Sequence, residues 1–163
     1  MPLMRTSPPS SRNAVPAWWR QAWRRAAPWA IANGRVVSSL DRRRLFDAVP
    51  FTIPLPDHLG ELRHFLAMAN PVPPDRIPPD LVTMNSVVCI RDAAAGETDT
   101  FALVYPYDAD GTPNGRSITA PFGASVFGRR VGEHIAWATR RGLRHAIIEA
   151  LRYQPEREGH FDR

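Results

Sequence analysis

Thr100-Phe101-Ala102-Leu103-Val104-Tyr105 alternates along an extended chain, with Phe101, Leu103 and Tyr105 on one face and Ala102 and Val104 on the other. A period of two marks a strand with one side buried. Working outward from it, the turn residues Ala94-Ala95-Gly96-Glu97 connect it to an earlier strand over 86–91, which contains the apolar run Val87-Val88-Cys89-Ile90. On the other side a polar loop over 108–115 leads to a short strand over 116–119. Pro121 suits a first helical turn and Gly128 a helix end, so a brief helix is predicted between them. Beyond Gly132, strands over 134–138 and 143–153 form a hairpin across Thr139-Arg140-Arg141-Gly142. Short strands, turn residues and one small helix predict a compact α+β domain over 82–156, with a frayed, charged tail over 157–163.

The rest of the chain reads as attachments. In Pro71 to Asp80 five of ten residues are proline, which predicts a stiff, extended linker over 71–81 and a domain boundary there. Upstream, over 36–70, Leu40, Leu45 and Phe46 recur near helical spacing after a possible Ser38 or Ser39 cap, and Leu59, Leu62, Phe65, Leu66 and Ala69 do so after Asp57, a plausible cap. Pro50, Pro54 and Pro56 interrupt the helix between them. The expectation is a short antiparallel helical hairpin.

The formal net charge is +5, from 21 basic and 16 acidic residues. Residues 1–40 hold six Arg and no acid, whereas 41–80 hold five Arg against six acids and 81–163 hold ten against ten. The excess is therefore confined to the N-terminal extension, 1–35. Every basic residue is Arg, a usage that reads as codon bias, so arginine by itself does not mark a nucleic-acid site. Met1 to Val15 is Pro-, Ser- and Arg-rich and is expected to be disordered. Over 16–28, Trp18, Trp19 and Trp23 share one half of a helical wheel with alanines, and Arg20, Arg24 and Arg25 occupy the other. Three readings fit this basic amphipathic segment: packing on the chain itself, adsorption to an anionic membrane surface, or contact with nucleic acid or an acidic partner.

Several chemistries find no support. Cys89 is the single cysteine and lies in an apolar run, so a buried, inert thiol is expected, with no disulfide and a cytoplasmic location. His58, His64, His134, His145 and His160 lack metal-ligand spacing. No phosphate-binding glycine loop and no assignable Ser–His–acid set occurs. No apolar run approaches the roughly 20 residues of a membrane span. No cofactor, metal or catalytic residue is expected.

Ala120-Pro121, Gly123, Phe127-Gly128 and Gly132-Glu133 resemble the signature of the C-terminal domain of bacterial Gre transcript-cleavage factors. Val82-Thr83-Met84-Asn85-Ser86, Leu103-Val104-Tyr105-Pro106, Asp108-Ala109-Asp110 and Tyr153-Gln154-Pro155 are closer to their short relatives, the Rnk family of nucleoside diphosphate kinase regulators. The similarity reaches upstream through Ser39-Leu40-Asp41, Arg44-Leu45 and Ile77-Pro78-Pro79-Asp80, covering roughly 36–156.

The resemblance implies an FKBP-like antiparallel sheet wrapped on a small helix. It also implies a monomeric, non-enzymatic regulator that binds bacterial RNA polymerase at the rim of the secondary channel and meets nucleic acid only through the transcription complex. Its docking residues would be Pro121, Phe122 and Gly123, with Thr119 where Gre factors often carry an acid; the alternative is that Pro121 and Phe122 close the core. Cleavage-stimulating Gre factors hold paired acids at the tip of a long coiled coil, a donor set suited to Mg²⁺. Here the short hairpin tip is flanked only by Asp47 and Asp57, which read either as a channel contact or as a solvated residue and a helix cap. Transcript cleavage is not expected. A different class of reading makes the basic helix, Trp18, Trp19, Arg20, Trp23 and Arg24, the functional element and the domain a passive module tethered to membrane or nucleic acid.

Overall fold

Strand β3 (Val87–Asp92) lies at the centre of a five-stranded sheet, with β4 (Thr98–Val104) and β7 (Gly142–Tyr153) as its neighbours. A computed structural model describes residues 35–49 and 54–162. The order is β5-β4-β3-β7-β6, where β5 is Gly115–Ser117 and β6 is His134–Thr139. Three pairings are antiparallel; β4 and β5 run parallel, which the expected all-antiparallel sheet did not include. A parallel partner needs a longer connection than a hairpin. The loop through the 3₁₀ turn Pro106–Asp108 supplies it.

Period two holds for Phe101, Leu103 and Tyr105, but Val104 on the other face of β4 is buried too, so the strand is not open on one side throughout. Phe101, Leu103 and Tyr105 are buried in the main core, together with Val88 and Ile90 from β3. Cys89, on the opposite face of β3, is buried as well, beside Glu149. In β7 the period breaks. Cys89 pairs with Ala150 and Ile90 with Ile148, leaving Glu149 as an extra residue; Val88 pairs with Leu151 and Val87 with Tyr153, leaving Arg152 as another. Each bulge shifts the parity of the strand. That is why Ile148 and Leu151, three residues apart, both reach the core.

The helix α3 (Pro121–Val126) packs against β5 and β6. Pro121 occupies its first turn, where a missing N–H costs nothing. Gly123 is required by close approach: a Cβ there would lie 2.1 Å from the Ser117 carbonyl oxygen. Gly128, at φ +71°, follows the helix end and leaves room for the Phe65 ring, whose Cζ would be 2.5 Å from an added Cβ.

The hairpin consists of α1 (Ser39–Ala48) and α2 (Asp57–Met68). Its base is closed by a parallel two-stranded ladder of β1 (Val36–Ser38) and β2 (Asn70–Val72), an element the sequence did not announce. The expected caps differ in detail. Ser38 holds the cap position without a side-chain cap bond, and Asp57 is the first helical residue, after a Pro56 cap, where its charge still complements the helix dipole.

The Pro-rich stretch does not hold the hairpin at a distance. Asn70–Val72 is a strand, Pro74–Arg76 is a 3₁₀ turn, and Leu45, Leu62, Phe65 and Leu66 share one core with Val82, Met84 and Phe127. Phe65 meets Phe127 edge-on, ring centroids 5.9 Å apart. Proline restricts φ but does not forbid compact turns, so the density of Pro alone misread the geometry. Gln154 seals the same seam by donating to the Pro78 and Leu81 carbonyl oxygens, at 2.9 and 2.6 Å.

Candidate partner-docking site

The turn between β5 and α3 carries the residues expected to dock a partner. Ser117 Oγ lies 2.8 Å from Thr119 Oγ1 and also accepts the Thr119 backbone N–H, so the turn is braced internally. It is braced from outside as well. His58 of α2 donates from Nε2 to the Thr119 carbonyl oxygen at 2.9 Å. Burial holds the His58 imidazole below the usual histidine range, against the opposing pull of this hydrogen bond and of Asp57. Nε2 carries the proton in this contact, because the carbonyl oxygen can only accept. The hairpin thus contacts the turn directly.

Pro121 and Phe122 are half-buried, and Gly123 is buried. Phe122 is wedged between Phe101 and Trp137, with ring centroids at 4.7 and 4.8 Å and edge-to-face tilts. Such pairs contribute about 1 kcal/mol each beyond their buried area. Phe122 therefore contributes to the core and to the surface at once. It forms a wall of a cavity of about 440 Å³ whose floor includes Ile90 and Trp137.

The cavity rim is charged and internally paired. Arg116 lies 3.6 Å from Asp99. Arg144 pairs with Asp92 and stacks over the Trp137 ring, its guanidinium carbon 5.7 Å from the ring centroid. The Asp92 carboxyl is held down to about 2 by the Ala95 backbone N–H, the Arg144 side chain and the Ala94 N–H. Apolar Ile90, Phe122 and Trp137 beside two ion pairs suit a protein segment with an apolar tip and polar flanks. Among the described residues no cluster of His, Cys, Asp and Glu could hold a metal ion.

Asp47 is exposed near the end of α1, and Asp57 is half-buried at the start of α2. Trp18, Trp19, Arg20, Trp23 and Arg24 lie outside the described residues. No helix among the described residues is long and apolar enough to cross a membrane.

Sequence reading missed a second cluster. Asp41, in the first turn of α1, is 1% exposed; its Oδ2 accepts the Met84 backbone N–H at 3.0 Å and its Oδ1 accepts the Tyr105 hydroxyl at 3.1 Å. On the other side of the same loop, Thr83 donates to Glu156 at 2.7 Å. Segments scattered over the chain, 39–41, 82–86, 103–106 and 153–156, meet here. Their shared resemblance to one family was the available signal.

The description "Transcription elongation factor, GreA/GreB, C-term" belongs to the family model that matches residues 77–153. A prokaryotic transcription elongation factor GreA/GreB from Nitrosomonas europaea is similar in structure at TM-score 0.64 and 35% identity, over 75% of this chain and 100% of that one. The chain belongs to the GreA/GreB family. Within it, the chain is 39% identical over 89 residues to the regulator of nucleoside diphosphate kinase from Escherichia coli (strain K12), covering 54% of this chain and 65% of that protein. It is 28% identical over 97 residues to transcription elongation factor GreA from Syntrophus aciditrophicus (strain SB), covering 60% of each. The chain thus spans less than two thirds of these curated GreA/GreB relatives.

Proposed function

We propose that this chain is a non-enzymatic, cytoplasmic transcription regulator that binds RNA polymerase near the secondary channel, as a monomer, and competes there with other channel-binding factors. The observation that carries the reading is the turn Thr119–Gly123: on a GreA/GreB-family domain, Phe122 lines a cavity of about 440 Å³, and Pro121, next to it in the chain, is half-exposed. Nucleic acid enters only as part of the transcription complex.

Helix α2 has 12 residues and so is about 18 Å long at 1.5 Å per residue. The sequence between Asp47 and Asp57 contains no acid. This short hairpin without a paired-acid tip supports modulation or competition rather than transcript cleavage.

Binding of the full chain to bacterial core RNA polymerase, with a Gre factor as competitor, tests the proposal. Displacement by the competitor is expected, as is weaker binding of Pro121→Ala with an unchanged melting temperature. Absence of binding at physiological salt overturns it. Removing residues 1–35 separates this function from tethering through the basic segment: polymerase binding should survive the deletion.

A further inference from the structure

We propose that Asp41 is a proton-operated latch, seating helix α1 on the C-terminal domain as the neutral acid and loosening that seat as the carboxylate. The inference goes beyond polymerase binding and does not depend on it.

The geometry carries the argument. Asp41 is a side chain from the hairpin that hydrogen-bonds two separate parts of the domain, the 82–86 loop through the Met84 N–H and the end of β4 through the Tyr105 hydroxyl. It is 1% exposed, and the groups facing it from each packed element are few. Arg44, one turn along α1, favours the carboxylate; Glu156, from the C-terminal turn, opposes it; Tyr105 and the Met84 N–H donate to it. Its burial outweighs the donors, and the carboxyl is pushed up to about 7. Glu156 is itself raised by burial, against the Thr83 hydrogen bond. Two carboxyls therefore flank one loop, and burial raises both.

The neutral acid can keep both contacts. Its carbonyl oxygen accepts from Met84, and its O–H exchanges donor and acceptor roles with Tyr105. The carboxylate keeps the same contacts but places a charge where water is absent, a cost that opening of α1 relieves.

The sign follows from linkage. A carboxyl raised from 3.8 to about 7 in the closed state stabilises closure fully below about pH 4, and that contribution is lost progressively as pH rises to about 7. Above about 7 both states are ionised and the dependence levels off.

Amide hydrogen exchange in residues 39–48 of the full chain, from pH 5 to 8 and corrected for intrinsic rates, reads the latch. The expected protection falls by up to about ten-fold per pH unit between 5 and 7, one proton's linkage, and then flattens. Asp41→Asn mimics the neutral acid, so its profile should be shallower, keeping only what Glu156 contributes. Equal slopes in the two proteins overturn the proposal. A second measurement covers the case in which the variant folds poorly, namely carbon-detected titration of the Asp41 carboxyl in the unaltered chain. A midpoint near 7 that coincides with shifts in α1 supports the latch, and a midpoint in the ordinary carboxylate range overturns it.

Discussion

Asp92 and Asp41 are the same residue type in two neighbourhoods, and their acidities move in opposite directions. Asp92, at the cavity rim, accepts from two backbone N–H groups and an arginine and is held down to about 2. Asp41, in the seam between hairpin and sheet, also accepts two hydrogen bonds, yet burial pushes it up to about 7. Donors stabilise a carboxylate, but two neutral donors do not replace the water removed from a fully buried one. The rim is therefore a permanently charged surface suited to meeting a partner, and the seam is a place where a proton changes the internal fit.

The contrast yields predictions that decrease in size. Asp41→Leu removes both acceptors and leaves the Met84 N–H and the Tyr105 hydroxyl buried without them, for a loss of about 3 kcal/mol in a urea melt. A loss below about 1 kcal/mol would show that the seam is wetter than its burial indicates.

Gly123→Ala drives a Cβ against the Ser117 carbonyl, for an expected cost of about 2–3 kcal/mol, and the proposed docking role adds weakened polymerase binding, because the turn must shift. Tyr105→Phe deletes one donor to Asp41 while leaving the ring in place, for about 1 kcal/mol. Since that hydroxyl favours the carboxylate, the midpoint of Asp41 should rise further, and carbon-detected titration checks the direction.

Arg144→Ala is the smallest change. Stability at neutral pH should hardly move, because exposed ion pairs contribute little. The small deficit at neutral pH should close in acid. The Asp92 contribution is present above about pH 4 and is lost as pH falls towards 2, so the variant should lose less stability over that range than the unaltered chain. Asp41→Asn should leave this acid limb unchanged and reduce the slope between 4 and 7. If both variants altered the same limb, the two carboxyls would not be independent.

Much of the sheet was legible before any coordinates. The strand over Thr98–Val104, the hairpin over 134–153 and the helix opening at Pro121 all follow from period two and from proline and glycine placed where backbone conformation needs them. The bulges at Glu149 and Arg152 were not legible, since an extra residue in one strand is defined only against its partner. Nor was the ladder of Val36–Ser38 with Asn70–Val72, whose three-residue strands contain Pro71 and leave no periodic trace. At the site, Pro121 and Phe122 were singled out, but two readings stayed open. Phe122 lies between two aromatic rings and still lines the cavity, so it combines features of both.

What the sequence by itself determined is what depends on neighbours along the chain: strand faces, helix ends, the turn before α3, and an ensemble of short motifs specific to one family. Only the tertiary structure decided what depends on neighbours across it. The Pro-rich stretch became part of a closed seam, His58 became a brace for the turn before α3, and Asp41, an ordinary acid in a helical pattern, became a buried group pushed up to about 7. Acidity is set by the water and charges around a group, and the sequence does not say which distant segments will exclude that water.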